Sequence, residues 1–280
     1  MKKLLKKKDL IILLVLIVIL IVILISLIPF YILKIRDIIY SNKFATYSYE
    51  TYTNYTNPIF SIEKIVYYSN AFVTDNSSDG NFQNINIGQY TDIAIYINNT
   101  NASDELTDKN TIAELYIDNI KVTSNSNKGT KTLCYKNPYY FATYKGLQEP
   151  ENGRINFNII TNNKDNKESA YNNPSFYQDC SNPISLGYIN KDIVTNFEIA
   201  NTDTLSLNGT ILQKANITLD ELTFNMSFTI HIKNNKGEEF ICNVDRPVLS
   251  DETSSQLLNG YIATQYSPDK GTAQFIKISD

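Results

Sequence analysis

The chain has 280 residues and a net charge of −4, but charge and apolar residues are unevenly distributed along it. Residues 1–36 carry seven Lys or Arg and one Asp, a net +6, so residues 37–280 carry −10. An acidic region of this size lacks the basic surface that phosphate binding requires, which excludes nucleic acid as a partner. The length allows one or two domains.

The first element in the chain is an apolar run over residues 10–33, with the sequence LIILLVLIVILIVILISLIPFYIL. As a helix, a segment of this length spans about 36 Å, enough to cross a bilayer of about 30 Å with some tilt. It has no polar stripe of the kind that a buried core helix would carry. A cleaved signal peptide is the alternative, but the run is too long and no small-residue cleavage site follows it. We therefore predict an uncleaved transmembrane helix that contacts membrane lipid.

The charges that flank this helix predict its orientation. Residues 1–9 form a basic tip with five lysines, whereas only Lys34 and Arg36 follow the helix closely. Basic residues concentrate on the cytoplasmic side of membrane helices, so we expect the N-terminus inside and the C-terminal part outside the cytoplasm. The predicted location is the plasma membrane, with a single-pass signal-anchor and an extracellular domain.

A Tyr-, Thr- and Asn-rich stretch follows at residues 34–58, which we interpret as a stalk or a loose edge strand. From Ile59 onward the apolar residues recur with a period of two, which is typical of half-buried strands. This pattern predicts a mainly β domain over residues 59–280, an immunoglobulin-like or related β-sandwich. Thr111 and Glu114 have capping-box spacing, which favours a short helical turn before the strand at 115–122.

The most regular alternation lies near the C-terminus and predicts a β-hairpin. Asn234 to Gly237 supply turn chemistry, after which Phe240, Cys242 and Val244 resume the alternation. Residues 129–183 separate an earlier set of strands from a later one. They are either an excursion from one sandwich, which we favour, or the border between two small sandwiches. The apolar positions of the first hairpin strand are Leu222, Phe224, Met226, Phe228, Ile230 and Ile232.

The lysine-tipped anchor and three strand-like segments resemble uncharacterised single-pass, membrane-anchored envelope proteins of low-GC Gram-positive bacteria. These segments are GQYTDIAIYINN, TIAELYIDNIKV and SFTIHIKNNKGEEFICNV. The resemblance rests on strand patterns and not on site signatures. It implies a location and a fold class, and no functional residue is carried over from it.

The sequence contains no arrangement of residues that predicts catalysis or metal binding. Its one histidine, His231, lies out of phase with the core residues of its strand, so we expect an exposed side chain without a chemical role. Motifs for phosphate binding, zinc hydrolysis and a serine nucleophile are missing. We therefore predict no catalytic, metal-binding or cofactor-binding residues. A glycan hydrolase with paired carboxylates stays open as an alternative, because such acids need no local motif.

The three cysteines are assigned from their local patterns. Cys242 is in phase with Phe240 and Val244, so we predict a buried free thiol. Cys134 and Cys180 lie in turn-like settings at the two ends of the 129–183 segment, and an exported domain can hold a disulfide. We predict a Cys134–Cys180 bond, which would stabilise the fold by about 4 kcal/mol in the chain-entropy model. Three free thiols are the alternative.

Composition favours binding over catalysis. The chain has 20 tyrosines and no tryptophan, and tyrosine with Asn and Ser is typical of adaptable binding surfaces. Ordinary strand packing also accounts for many of the tyrosines. We expect a membrane-anchored binding or scaffold module without enzymatic activity, whose partner is another envelope protein or polymer. The alternatives are an accessory structural subunit of an envelope complex and a wall- or glycan-modifying hydrolase.

Overall fold

The computed structural model describes residues 58–77, 82–99, 107–161, 173–199, 206–268 and 273–279. The predicted basic tip, the transmembrane helix at 10–33 and residues 34–57 of the stalk lie outside this part of the chain. Within it, no helix combines the length and the apolar character needed to cross a membrane. The described residues belong to one compact unit, Asn54–Asp280.

The fold is mainly β, as the period-two pattern predicts. The strands are β1 (Phe60–Asp75), β2 (Asn84–Asn99), β3 (Ile112–Thr123), β4 (Thr130–Lys136), β5 (Leu147–Gln148), β6 (Ile155–Ile160), β7 (Ser175–Tyr177), β8 (Ile184–Glu198), β9 (Phe224–Asn234), β10 (Glu239–Val248), β11 (Tyr261–Tyr266) and β12 (Ile276–Ser279). Two short helices, α1 (Thr210–Lys214) and α2 (Leu219–Leu222), and 3-10 turns at Pro138–Tyr140 and Glu252–Asn259 connect them.

These strands form two six-stranded sheets. The first sheet has the order β11-β1-β2-β8-β4-β5, and the second has the order β12-β10-β9-β3-β6-β7. The pairs are antiparallel except β6 with β7, which is parallel. Residues 129–183 supply β4 and β5 to the first sheet and β6 and β7 to the second. Both sheets also contain strands from before and after this segment.

The predicted hairpin is confirmed by β9 and β10. Phe240 pairs with Ile232 and Cys242 with Ile230, so the apolar positions of both strands share one face. Gly237 closes the turn with φ of 86°, which a residue with a Cβ rarely adopts. Asn234 supports the turn, because its side-chain oxygen accepts hydrogen bonds from the backbone of Lys236 and Glu238, at 3.0 and 2.9 Å.

The two sheets share one hydrophobic core, as in a β-sandwich. The ring of Tyr188 on β8 stacks on Phe224 on β9 with a centroid separation of 3.6 Å. At another point Phe60 of β1 meets Phe240 of β10 edge to face at 5.5 Å. Burying one such side chain contributes about 1.5–3 kcal/mol, so these contacts between sheets are a major source of stability.

Two local predictions differ from the structure. Glu114 lies inside β3, opposite Lys233 of β9, so Thr111 and Glu114 do not cap a helix. Strand pairing satisfies this backbone instead, and the capping box in the structure is formed by Thr218 and Glu221 at α2. In addition, β1 is buried on both faces over Lys64 to Ser69, where alternation predicts one face in water.

Candidate functional site

A buried ion pair lies on the face of the first sheet that is turned away from the shared core. Lys136 at the end of β4 and Asp92 in β2 are 0% and 1% exposed, and Lys136 Nζ lies 3.1 Å from Asp92 Oδ1. Their strands are separated by β8, where Gly187 pairs with Asp92 on one side and Cys134 on the other. A Cβ at Gly187 would come within 2.4 Å of the Leu147 side chain, so glycine leaves room for Leu147 of β5 to pack here.

Burial controls the ionisation of this pair. It raises the pKa of Asp92 from its ordinary value to about 7, although Lys136 and the backbone N–H of Ala142 both act to lower it. Burial also lowers the pKa of Lys136, with Asp92 opposing the shift. The removal of either partner would therefore leave a charge or a polar group buried without its partner.

The ion pair holds residues 137–146, which we call the tyrosine loop, against the first sheet. Asp92 Oδ2 accepts a hydrogen bond from the backbone N–H of Ala142 at 2.6 Å, and the Tyr90 hydroxyl donates to the Ala142 carbonyl at 2.7 Å. Lys136 Nζ donates to the carbonyl oxygens of Thr143 and Lys145. Ala142 has a φ of 61°, a strained value for alanine that these bonds maintain.

The tyrosine loop presents aromatic side chains at the surface. Tyr139 is 70% exposed, Tyr140 41% and Tyr144 42%, and Tyr261 at the start of β11 is 48% exposed. We call these four residues the tyrosine surface. Such a concentration of half-exposed aromatic rings on a short loop is characteristic of binding surfaces, because tyrosine offers a large contact area with few rotatable bonds.

Ring contacts below the tyrosine surface fix its position. Tyr144 stacks on Phe72 of β1 with a centroid distance of 4.9 Å and an interplanar angle of 20°. Tyr68 contacts both Phe141 of the loop, at 5.7 Å, and Tyr261, at 5.4 Å. The loop and β11 are therefore connected through Tyr68, and the rings of Tyr144 and Tyr261 are arranged before any partner binds.

His231 lies on the outer face of the second sheet, as its strand phase predicts, but the expectation of a water-exposed side chain is wrong. The side chain is only 13% exposed and stacks on Tyr116 at 4.2 Å. The Arg154 guanidinium covers the other side of Tyr116, 3.2 Å from the ring centroid. Tyr116 lies on the neighbouring strand β3 and Arg154 in the turn before β6, and the local alternation of β9 does not reveal which segments are its neighbours.

Both ring nitrogens of His231 face carboxylates. Nδ1 lies 3.0 Å from Glu239 Oε1, and Nε2 lies 3.0 Å from Asp118 Oδ1. Both ring nitrogens are therefore occupied by hydrogen bonds within the sheet, and neither faces open solvent. The hydrogen bonds of Asp118, His231 and Glu239 therefore connect β3, β9 and β10. No cluster of His, Cys, Asp and Glu able to hold a metal is found in the described ranges.

The structure contradicts the predicted Cys134–Cys180 disulfide, because all three cysteines are free thiols. Cys134 lies on β4 of the first sheet and is not part of the shared core, whereas Cys180 follows β7 of the second sheet and packs against that core. The two ends of the 129–183 segment belong to different sheets, so they do not meet. Cys242 is 3% exposed and packs in the core, as its strand phase predicts.

Sequence reasoning missed Asp92, Lys136 and the tyrosine loop. One signal was available: Asp92 is the charged residue in the otherwise uncharged segment Tyr90–Ile97, and a charged residue that is buried there requires a partner. The partner itself lies 44 positions away in sequence, on a strand that is not adjacent to β2.

Comparison with known proteins finds no matching family model, no matching curated protein and no matching solved structure.

Proposed function

We propose that this chain is a non-enzymatic binding module, anchored in the plasma membrane by residues 10–33, that binds an envelope protein or polymer outside the cytoplasm. The observation that carries the proposal is the tyrosine surface and its attachment through the Asp92–Lys136 ion pair. Binding costs less conformational entropy when the loop that carries the rings is already held in place than when binding must order it. The location rests on the sequence, through the basic tip and the apolar run.

The proposal includes a β-sandwich over residues 59–280. Two sheets with a common core support this architecture. Each sheet has six strands, whereas a constant-type immunoglobulin domain has four and three, so we favour a related sandwich over an immunoglobulin fold.

Charge narrows the class of partner. Residues 37–280 carry −10, so a polyanion would be repelled by most of the domain. The four tyrosines offer rings and hydroxyl groups, and Lys145 is exposed beside Tyr144, which suits a neutral polymer or a protein with a neutral contact region.

Site-specific photocrosslinking tests this proposal in the native membrane. A photoreactive phenylalanine analogue replaces Tyr140 in the full chain, and a matched position, Ile278, is 51% exposed on β12 of the second sheet. We expect a discrete adduct from position 140 and none from position 278. The affinity of the captured partner should then fall at least about tenfold for the Tyr139→Ser/Tyr140→Ser chain.

Two results would count against the proposal: equal crosslinking from both positions, or unchanged affinity of the double variant. The accessory-subunit alternative makes a different prediction. Crosslinks would then come from the helix at 10–33, and the tyrosine substitutions would have no effect.

A further inference from the structure

A recess opens between the two sheets on the side where β1 and β11 of the first sheet approach β10 of the second. Its volume is about 130 Å³. Most of its wall is apolar, and the exceptions are concentrated on β10 and β11. The lining residues are Ile62, Ile65, Val244, Pro268 and Ala273, with Asn243, Asp245, Arg246 and Tyr266.

Arg246 supplies the positive charge among the residues that line this recess. Val244 and Val248, its neighbours at a spacing of two, are buried, so the alternation of β10 directs Arg246 to the same inner side. Its Cζ lies 3.4 Å from the ring centroid of Tyr266, and its buried Nε has no hydrogen-bond partner in the described part of the chain. Asp245, the adjacent acid, instead accepts a hydrogen bond from Asn225 at 2.6 Å.

The hydroxyl of Tyr67 is a second unsatisfied group. Tyr67 is 5% exposed, and its buried oxygen has no hydrogen-bond partner among the described residues. Burial raises the pKa of this hydroxyl; the nearby Arg246 cation acts to lower it, and Tyr266 acts to raise it. Tyr67 lies two residues from Ile65 on β1 and both side chains belong to the core, so Tyr67 is on the face of β1 that lines the recess.

We propose that the recess binds a small monocarboxylate with a short branched apolar group. A guanidinium presents two parallel N–H donors that match a carboxylate, and the Tyr67 hydroxyl supplies one further donor. The aliphatic wall formed by Ile62, Ile65 and Val244 suits the apolar group. One cation in an acidic domain is a poor match for a dianionic phosphate. This site lies between the sheets and uses none of the residues of the tyrosine surface.

Such a carboxylate can be a free short-chain acid or the C-terminus of a peptide that ends in a branched apolar residue. Isothermal titration of the full chain in detergent distinguishes them with isovalerate and with an acetylated peptide ending in Leu. Isopentylamine and the C-terminally amidated peptide are the charge-altered controls. Binding of at least one carboxylate probe, with at least tenfold weaker binding of its control, supports the site and identifies the source.

Substitutions in and outside the recess test whether the carboxylate probe binds there. Arg246→Gln should lower the affinity for the carboxylate probe at least tenfold, and Tyr67→Phe should lower it severalfold. Tyr67→Phe removes only a hydroxyl that has no partner, so we expect it to fold with unchanged or higher stability. Arg154→Gln is the matched control, because Arg154 also stacks on a tyrosine but lies outside the recess, and it should bind the probe like the parent chain.

Failure of both carboxylate probes to bind would overturn the proposal. So would binding that is equal for probe and control, or that survives in both Arg246→Gln and Tyr67→Phe. A loss of binding in Arg154→Gln as large as in Arg246→Gln would also overturn it, because the effect would then not be specific to the recess.

Discussion

Lys136 Nζ lies 3.1 Å from Asp92 Oδ1, and neither side chain is accessible to solvent. The two residues belong to β4 and β2, which are separated by β8. Through backbone bonds to Ala142, Thr143 and Lys145 they determine where the tyrosine loop lies. The same contact therefore stabilises the fold and positions the candidate binding surface.

Substitutions that break this ion pair should lower the free energy of unfolding, and their effects should not add in the double variant. We expect Lys136→Met to lower the free energy of unfolding by about 3–5 kcal/mol, because it leaves the Asp92 carboxyl buried without its partner. The double variant Asp92→Asn/Lys136→Met should lose less than the sum of the two single variants. Denaturant unfolding of all four chains measures the coupling, and strictly additive losses would contradict it.

The second prediction concerns His231. We expect His231→Ala to lower the free energy of unfolding by about 1–2 kcal/mol, since the side chain is stacked on Tyr116 and bonded to two carboxylates. The same substitution in a Glu239→Gln background should cost less, because the neutral amide oxygen accepts a weaker hydrogen bond from His231 than the carboxylate does. A change of His231→Ala within about 0.5 kcal/mol, typical of an exposed position, would rule out this role.

The same group predicts a pH dependence. The hydrogen bond from His231 is the largest cause that lowers the pKa of Glu239 below its ordinary 4.5, with smaller help from Tyr116. A carboxyl with a lowered folded-state pKa contributes stability above pH 4.5 that is lost as pH falls through its folded value. Glu239→Gln should thus flatten the acid limb of stability below pH 4.5. Parallel curves for both chains would contradict this.

Alkylation distinguishes free cysteines from a disulfide. Burial raises the pKa of Cys134 to about 11 and that of Cys180 and Cys242 to about 12. The thiolate is the reactive form, so iodoacetamide should alkylate the folded chain slowly at pH 8. In denaturant without reductant, mass spectrometry should find all three alkylated. If Cys242 alone were modified under those conditions, Cys134 and Cys180 would be joined in a disulfide, which would contradict the free thiols of the structure.

Slow background reaction of these thiols makes a topology test practical. We expect a cysteine introduced by Ser279→Cys to react with a membrane-impermeant maleimide in intact cells, because the basic tip orients the C-terminus outward. Lys3→Cys should react only after the membrane is permeabilised. Protection of position 279 in intact cells, or labelling of position 3, would place the chain in the opposite orientation.

Local sequence patterns determined the elements of this protein. Side chains alternate across a strand whatever its neighbours are, so the period-two pattern sufficed to predict the β9–β10 hairpin and the burial of Cys242. The turn at Gly237 required only a residue that tolerates positive φ. The apolar run at 10–33 likewise predicts a membrane helix from its length alone, and it lies outside the described residues.

The tertiary structure decided which strands are neighbours, and the sites depend on that. Asp92 meets Lys136 because β8 brings β2 and β4 into one sheet, and no local pattern encodes this order. Sheet assignment also separates Cys134 from Cys180. Arg246 reaches Tyr266 only because β10 and β11, from different sheets, approach at one edge of the core. Alternation reports which face a side chain occupies, whereas pairing and packing between distant segments determine what that face contacts.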